Sequence, residues 1–353
     1  MKNICFKVDA SIQIGSGHVM RCITLANQLK DKGMNITFIT RDLKGNMNKY
    51  IAKHFSIRVL PKIEIEDSWQ WISDNWQQDV VETIDVLDGM VFDLFVVDHY
   101  AIDFKWEKRI RPYTREIMVI DDLANREHDC DILLDQNFYS NMNDRYNKLV
   151  PKHCKKYLGP NNALLREEFI KEVYLNYNKN NNILISFGGS DPTGETLKVC
   201  KLLKNIIPNK YIITIIIGSS NPEKLLIERF CELNNQFTSY FNVTNMARLI
   251  NESSFCIGGG GVSVIERCVL KKPTLIITVA ENQIEIAKDI QQIGAANYIG
   301  HYNENYEEVF KDSILKFVKD DLYISNMSNK CREIIDVNVL EKKELINYIT
   351  SII

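Results

Sequence analysis

The chain has 353 residues, which exceeds the size at which a single hydrophobic core usually stops growing, so we expect two domains. Hydrophobic residues make up 45% of the chain and charged residues 25%, a composition typical of a globular protein and unlike that of a disordered one. The formal net charge is −3 without a long basic run, which argues against nucleic acid as a partner.

The first predicted element is a buried strand over residues 4–9, and a helix with apolar side chains at helical spacing follows over residues 19–32. The connection between them carries Gly15, Gly17 and His18, so His18 lies at the predicted start of the helix. Open α/β sheets bind ligands beyond the carboxyl ends of their strands, and the free amides of a helix start attract negative groups. This loop is therefore a candidate functional site.

More strands are predicted along the first half of the chain, separated by helical or irregular segments, which indicates a parallel sheet covered by helices. These strands are predicted over residues 35–40, 93–98, 116–121 and 131–135. Acidic residues follow or end several of them, namely Asp98, Asp121, Asp122 and Asp135. Polar side chains in these positions are expected to line the crevice of the sheet.

A second series of strands follows a change in composition, so we interpret the chain as two Rossmann-like domains of the α/β class. Its strands are predicted over residues 183–187, 211–217, 254–257 and 274–279. We expect an N-terminal domain over residues 1–155 and a C-terminal domain over residues 183–353, whose last helix can pack back on the N-terminal domain. Residues 156–182 are predicted to link them, ending in the asparagine-rich run at residues 176–182.

His18 is the candidate general base of the first loop. An imidazole with the ordinary pKa of about 6.5 is largely neutral at pH 7 and can take a proton from water. A tight glycine turn in which the histidine caps the helix explains the same residues without catalysis. The local sequence leaves both interpretations open.

A second glycine-rich loop follows the first strand of the second domain and contains Gly188, Gly189 and Ser190. Paired glycines let backbone amides approach a ligand, and nearby hydroxyls can donate to phosphate oxygens. A glycine turn in which Asp191 or Thr193 caps the next helix explains the same pattern. The two roles are compatible.

Four successive glycines at residues 258–261 precede a helix that is predicted to begin near Ser263. Such a loop costs conformational entropy and contributes no side chains to packing, so we expect its amides to bind a pyrophosphate at the helix start. Glu266 can then accept hydrogen bonds from a ribose diol. The loop is not a Walker loop, because no Gly-Lys-Ser or Gly-Lys-Thr sequence follows it.

Asn282 and Gln283 follow the last of the predicted strands. Their amide groups both donate and accept hydrogen bonds, which suits sugar hydroxyls and acetamido groups, although a polar helix start is an equal alternative. The tryptophans at 69, 71 and 76 lie in an amphipathic stretch, and we favour packing over a stacking platform for them.

Metal binding has little support in the sequence. No two of the six histidines are four residues apart, and the pair Asp121 and Asp122 alone is a weak cation site. We therefore expect an enzyme that needs neither a metal ion nor a cofactor.

In their order along most of the chain, these segments resemble the UDP-2,4-diacetamido-2,4,6-trideoxy-β-L-altropyranose hydrolases of pseudaminic acid synthesis and their relatives in spore-coat polysaccharide synthesis. The similar segments lie at residues 15–21, 98–100, 120–124, 130–137, 159–169, 188–192, 266–268 and 281–283. Each segment alone is weakly specific, whereas their order together is specific.

The resemblance implies the fold of B-type glycosyltransferases, in which two Rossmann-like domains have a cleft between them, and the transfer of a sugar from UDP to water. One direct displacement predicts inversion at the anomeric carbon, through an oxocarbenium-like transition state. His18 aligns with the histidine regarded as catalytic, and Tyr100 and Asn282 match positions near the sugar and the reactive phosphate.

Two sets of binding residues follow. We assign substrate binding to Gly15, Gly17, Arg21, Tyr100, Asn282 and Gln283. We assign UDP binding to Gly188, Gly189, Ser190, Gly259, Gly260, Gly261, Ser263 and Glu266. Because the loops do not distinguish water from an alcohol acceptor, a glycosyltransferase with the same donor is an alternative, as are a UDP-sugar 2-epimerase and a non-catalytic nucleotide-sugar sensor.

The nine cysteines are odd in number, lack C-x-x-C spacing and mostly fall in apolar runs, so we expect reduced, buried thiols. The N-terminal residues show no signal-peptide pattern and no stretch approaches a membrane span, which favours a cytoplasmic protein without membrane insertion. We expect a monomer or weak oligomer whose partner is a UDP-sugar.

Overall fold

The computed structural model describes residues 1–64, 67–175, 177 and 180–353, and the chain divides into two compact units. The first unit comprises Met1–Gln136, Asn141–Leu164 and Lys342–Ile353. The second unit comprises Asn137–Ser140 and Leu165–Glu341. Part of the asparagine-rich run that ends the predicted linker lies outside the described residues.

The first unit is built on a parallel sheet with the strand order β3-β2-β1-β4-β5-β6-β7. These strands are β1 (Asn3–Val8), β2 (Asn35–Arg41), β3 (Ser56–Leu60), β4 (Phe92–Asp98), β5 (Thr114–Ile120), β6 (Ile132–Asp135) and β7 (Lys155–Leu158). The helices along this part of the chain are α1 (Gly17–Lys30), α2 (Asn48–Ile51), α3 (Ser68–Asp74), α4 (Trp76–Leu87) and α5 (Phe104–Ile110). The central strands β1 and β4 are covered on both faces, which explains their nearly continuous apolar sequences.

The second unit repeats this plan with a parallel sheet of the order β10-β9-β8-β11-β12-β13. Its strands are β8 (Asn182–Ser186), β9 (Ile212–Ile217), β10 (Phe237–Phe241), β11 (Phe255–Gly258), β12 (Thr274–Thr278) and β13 (Asn297–His301). Its helices are α6 (Glu167–Glu172), α7 (Glu195–Lys204), α8 (Lys224–Glu232), α9 (Met246–Glu252), α10 (Ser263–Val269), α11 (Asn282–Ile293), α12 (Glu307–Lys319), α13 (Asp321–Ile334) and α14 (Val337–Leu340). The α/β class with two Rossmann-like domains is thereby confirmed.

The boundary between the units differs from the predicted one. Strand β7 lies within the expected linker, yet it pairs with β6 and so completes the sheet of the first unit. The last helix, α15 (Glu344–Ile352), also belongs to the first unit, where Leu345 and Ile349 are buried in the same core cluster as Leu25 of α1. The chain therefore changes unit between Leu164 and Leu165, and again before α15.

The strand order places a switch point in each sheet. In the first unit β1 lies between β2 and β4, and in the second unit β8 lies between β9 and β11. The connections from neighbouring strands leave in opposite directions at such a point, which opens a crevice beyond the carboxyl ends of the strands. The loops after β1 and β4, and those after β8 and β11, are therefore the candidate positions for a ligand site.

The cysteines and the lengths of the helices bear on two general expectations. All nine cysteines are unpaired, and only Cys231 is partly exposed, which confirms the prediction of mostly buried thiols. No helix in the described part of the chain is long and apolar enough to cross a membrane.

Candidate active site

The switch point of the first unit brings His18 to Asp98. His18 is the second residue of α1, and Asp98 ends β4 beside Val8 of β1. The His18 Nδ1 atom lies 2.6 Å from Asp98 Oδ1. An ionised carboxylate can only accept a hydrogen bond, so Nδ1 carries the proton and Nε2 is left as the basic nitrogen of the ring.

Arg21 holds Asp98 from the next turn of α1. Its Nε and Nη2 atoms each donate to the Asp98 carboxylate at 2.6 Å, and its Nη1 donates to Asp122 Oδ2 at 3.2 Å. Burial alone would raise the pKa of Asp98, but the charge of Arg21 and the hydrogen bonds from Arg21 and His18 hold it well below its usual range. Asp98 therefore stays ionised, and Arg21, which we expected to bind substrate, has its guanidinium engaged by two carboxylates.

The rings of Tyr100 and His18 pack in a T-shaped arrangement. The ring centroids of the two residues are 4.5 Å apart and the rings are nearly perpendicular. Burial and the nearby Asp122 carboxylate, to which the hydroxyl is hydrogen-bonded, raise the pKa of Tyr100 well above its ordinary value. The Trp69 ring lies 5.3 Å from that of Tyr100, so aromatic rings continue outward from the histidine.

The two glycines before His18 have different structural requirements. Gly15 closes a tight turn in which its amide donates to Ser11 O at 2.9 Å, and its φ of +78° is one that other residues rarely adopt. Gly17 is the first residue of α1, and a Cβ there would meet nothing within 4 Å. The turn thus requires Gly15 but leaves Gly17 free of packing constraints.

A second group of buried charges, which was not predicted from the sequence, includes residues that directly follow β1 and β4. Lys7 Nζ is 2.8 Å from Asp9 Oδ2, and Arg41 Nη2 is 2.6 Å from Asp79 Oδ1. The Nε2 atom of His99 is 3.5 Å from Asp9, and burial lowers the pKa of His99 to about 4. The signal was Lys7 itself, because a lysine in a buried strand needs an acidic partner.

In the second unit, the four-glycine loop begins where β11 meets β8. A Cβ on Gly258 would lie 2.2 Å from Ser186 O, so only glycine fits this position. The amides of Gly260 and Val279 both donate to Gln283 Oε1, at 3.0 and 3.1 Å. Gln283, which we expected to bind substrate, therefore uses its carbonyl oxygen to hold the loop against the end of β12.

Arg267 lies under this loop and was also missed. It is 2% exposed, and its Nη2 donates to Gly259 O at 2.5 Å. Burial lowers the pKa of Arg267. A guanidinium keeps its charge at neutral pH, so it adds positive potential to a loop of backbone amides, which favours an anionic ligand.

Glu266 precedes Arg267 on α10 and has a cationic neighbour. Arg166 Nη2 donates to Glu266 Oε1 at 3.3 Å, and the Nη1 atom of Arg166 is 2.6 Å from Glu168 Oε1. Burial raises the pKa of Glu266. Helix α10 begins at Ser263 without a side-chain cap, and Asn282 begins α11. Arg166 lies in the segment at residues 159–169 that resembles the hydrolase family. That resemblance was the sequence signal that could have pointed to its pairing with Glu266.

The loop after β8 is shaped by a close backbone approach. A Cβ on Gly218 would lie 2.4 Å from Gly188 O and 2.3 Å from Gly189 O, and Ser220 N donates to Gly189 O at 3.0 Å. The Asp191 carboxylate accepts from the amides of Glu195 and Thr196 at 3.0 and 2.8 Å, at the start of α7. Gly194, rather than Asp191 or Thr193, is the N-cap residue of α7, but the Asp191 carboxylate still satisfies the first two amides of the helix from three residues earlier.

No cluster of three or more histidine, cysteine, aspartate or glutamate side chains that could hold a metal ion occurs among the described residues. This observation does not test whether the protein needs a metal ion or a cofactor. That it needs neither stays a prediction.

The two parallel sheets, with a paired histidine at one switch point and a glycine loop at the other, define a protein with the fold of GT-B glycosyltransferases. The crystal structure of MurG from Acinetobacter baumannii matches it with a TM-score of 0.66 at 13% sequence identity, covering 99% of this chain and 100% of that chain. Residues 172–347 match the glycosyltransferase family 28 C-terminal domain.

Curated relatives identify the family more narrowly. The UDP-2,4-diacetamido-2,4,6-trideoxy-β-L-altropyranose hydrolase of Campylobacter jejuni is 31% identical over 280 residues, which span 79% of this chain and 93% of the relative. The spore coat polysaccharide biosynthesis protein SpsG of Bacillus subtilis is 23% identical over 83% of this chain and 82% of its own length. The chain belongs to the family of UDP-2,4-diacetamido-2,4,6-trideoxy-β-L-altropyranose hydrolases.

Proposed function

We propose that this chain hydrolyses a UDP-linked 2,4-diacetamido-2,4,6-trideoxyhexose at the anomeric carbon, releasing UDP and the free sugar for pseudaminic acid synthesis. Membership of the hydrolase family supports the class of reaction. The hydrogen bond of 2.6 Å between His18 Nδ1 and Asp98 is the observation that carries the mechanism, because it leaves Nε2 able to accept a proton.

In this mechanism, Nε2 of His18 removes a proton from the attacking water. The water oxygen bonds to the anomeric carbon while the bond from that carbon to the UDP oxygen breaks, and the electron pair leaves with UDP. Asp98 stabilises the imidazolium that forms and keeps the ring oriented. UDP is a good leaving group, so a second acid is less necessary, and a single displacement inverts the configuration.

We assign UDP binding to the second unit. The amides of the loop at residues 258–261 and the start of α10 are proposed to hold the pyrophosphate, and Glu266 the ribose diol. Gly188, Gly189 and Ser190 are proposed to complete the nucleotide site. The buried charge of Arg267 supports this assignment, because it favours an anion at the loop.

The substrate-binding residues are proposed to act in two ways. Tyr100 and Asn282 are each proposed to contact the sugar and the reactive phosphate, and Gly15 and Gly17 to form the backbone that precedes His18. Arg21 and Gln283 act through neighbours, because their polar groups are engaged by carboxylates and backbone amides respectively.

We further propose a cytoplasmic, metal-independent enzyme without a cofactor, which acts as a monomer or weak oligomer. The unpaired and mostly buried cysteines support a reducing compartment.

The test is proton and phosphorus NMR of the chain with the candidate UDP-sugar and no acceptor, in the presence of a chelator. We expect free UDP and the inverted anomer of the sugar as the first products. Replacing His18 by Ala should lower turnover by about 10² to 10⁴, the usual contribution of a positioned base, while UDP affinity in calorimetry is retained. The matched control is His54→Ala, since His54 is exposed on the same unit.

The same spectra separate the alternatives. Release of UDP only after addition of an alcohol acceptor would indicate a glycosyltransferase, and a new sugar still attached to UDP would indicate an epimerase. Binding without any turnover would indicate a sensor. Wild-type turnover in the His18→Ala variant would remove His18 from the mechanism.

A further inference from the structure

Trp69 is a half-buried aromatic residue that the catalytic network does not use. Its ring lies 5.3 Å from that of Tyr100, which in turn lies 4.5 Å from that of His18. Because the hydroxyl of Tyr100 is bonded to Asp122, these residues offer mainly apolar ring surface beside the histidine. This surface, formed by Trp69 and Tyr100, is referred to below as the aromatic wall.

Helix α3, which carries Trp69, is attached to the loop that carries the catalytic residue. The amide of Ser68 donates to Gln13 Oε1 at 3.2 Å, and its hydroxyl donates to the same oxygen at 3.4 Å. Gln13 lies in the connection between β1 and α1, five residues before His18. These hydrogen bonds therefore attach the helix that carries the indole to the loop that precedes the base.

The other side of α3 is fixed to the core of the first unit. The Trp71 ring stacks on the Arg41 guanidinium, with 4.9 Å between the guanidinium carbon and the ring centroid, and Arg41 is itself paired with Asp79. Ile72 is fully buried, and Asp67 caps the helix by accepting from Gln70 N at 2.9 Å. Helix α3 is thus anchored to the core by contacts that need no ligand, and such preorganisation lowers the entropic cost of binding.

The chemistry of such a wall matches apolar edges of a sugar. Aromatic side chains bury large apolar area, and ligand sites combine aromatic walls with a few polar groups. In a 2,4-diacetamido-2,4,6-trideoxyhexose, carbon 6 is a methyl group and two acetamido groups end in methyl groups, whereas a common hexosamine has hydroxyls at carbons 4 and 6. A hydroxyl placed against the indole would lose hydrogen bonds to water without replacement.

We propose that Trp69 is a specificity-determining residue that binds the methyl groups of the deoxy, acetamido sugar and discriminates against hydroxylated UDP-sugars. This inference rests on the proposed function, since it assumes that the sugar is bound next to His18. It goes beyond that function in naming the substituents that the enzyme selects and the residue that selects them.

The test compares Trp69→Ala and Trp69→Phe with the wild type. One hydrophobic contact in a pocket is worth roughly 10 to 200-fold in discrimination, so we expect Trp69→Ala to raise KM for the diacetamido sugar by about tenfold or more. UDP affinity in calorimetry should be unchanged, and Trp69→Phe should recover part of the loss. The preference for this sugar over a UDP-N-acetylhexosamine should shrink in Trp69→Ala, measured as the ratio of calorimetric affinities with His18→Ala present in both proteins to prevent turnover.

The matched control is Trp76→Ala, because Trp76 packs against the core of the same unit at the start of α4. It should change the thermal midpoint without changing KM. Equal KM and equal sugar affinity in the wild type and Trp69→Ala would overturn the inference, as would a loss of sugar and UDP affinity in the same proportion. If the wild type releases no UDP, the proposed function fails; the calorimetric comparison of the two UDP-sugars then still decides the role of Trp69.

Discussion

The two units have a switch point at the same position of the same kind of sheet, but one presents charged side chains there and the other presents glycine backbone. At the switch point of the first unit the loops present side chains that carry or transfer charge, with His18, Asp98 and Arg21 in one hydrogen-bonded group. At the switch point of the second unit they present glycines at residues 258–261, with the cation of Arg267 buried below. The fold supplies the position, and the residues placed there supply the function.

The electrostatic environment of the buried carboxyl groups differs in the same way. In the first unit, burial opposes the charge of Asp9 and Asp98, but buried cations outweigh it and the pKa values of both are lowered. In the second unit, burial raises the pKa values of Glu195 and Glu266, and their cationic neighbours do not outweigh it. The ionised forms of Asp9 and Asp98 are therefore favoured by their surroundings, whereas burial disfavours the ionised forms of Glu195 and Glu266.

We expect the largest effect, a loss of turnover, from Asp98→Asn, which removes the ionised carboxylate from the switch point of the first unit. The introduced amide can donate to Nδ1 of His18 and so moves the ring proton to Nε2, which removes the base. We expect kcat to fall by about 10² to 10⁴ while UDP affinity is unchanged. Steady-state kinetics and calorimetry measure the two quantities.

Asp93→Asn is the control for this variant, because Asp93 lies on the same strand and pairs with Lys2 near the surface. A kcat for Asp98→Asn that equals that of the control would show that the carboxylate does not orient the base.

The pH dependence of stability tests the contrast in electrostatics. The pKa of His99 is lowered to about 4 by burial, so acidification from about pH 6.5 to pH 4 protonates the unfolded chain in preference to the folded one. The difference between the folded and unfolded pKa values of His99 corresponds to about 3 kcal/mol in the free energy of unfolding, which is present at neutral pH and is lost progressively over that range. The lowered pKa values of Asp9 and Asp98 add losses of the same sign at lower pH.

The second unit should respond with the opposite sign. Glu195 and Glu266 have raised pKa values, so their contribution is present below the unfolded pKa and is lost as the pH rises through the folded pKa. All four tryptophans lie in the first unit, so their fluorescence in urea titrations reports its unfolding, and far-UV circular dichroism reports both units. We expect the urea midpoints of the two units to separate as the pH falls. The variant His99→Gln should reduce the slope of the first unit's free energy of unfolding against pH. Fluorescence transitions that are independent of pH would contradict this prediction.

The smallest effect is expected from paired glycine substitutions. Gly258→Ala places a Cβ 2.2 Å from Ser186 O, and overpacking of this kind costs about 1–3 kcal/mol in the free energy of unfolding. It should also weaken UDP binding, because the loop must shift. Gly17→Ala meets no atom within 4 Å and should leave stability nearly unchanged.

Urea titration and calorimetry of the two variants provide the comparison. Equal stability losses would show that Gly17 and Gly258 have the same packing requirements. The proposed difference in packing between the two glycine loops would then be wrong.

The central strands of both sheets could be predicted from the sequence, because a strand buried on both faces has a nearly continuous apolar sequence. The four strands that were not predicted from the sequence are the edge strands of the two sheets, β3, β7, β10 and β13. Most residues of β3 and β10 are half-buried or exposed, with one buried residue in each strand, so their hydrophobic signal is weak. Pairing with a neighbour, rather than local sequence, makes these segments strands.

The same division applies to the site. Local pattern placed His18 at a helix start and the four glycines before another, since these depend on short-range spacing. The pairing of His18 with Asp98, 80 residues away, depends on the adjacency of β1 and β4. The tertiary structure alone decided that Arg21 and Gln283 brace other groups, because which partners a long polar side chain meets is set by packing between distant segments.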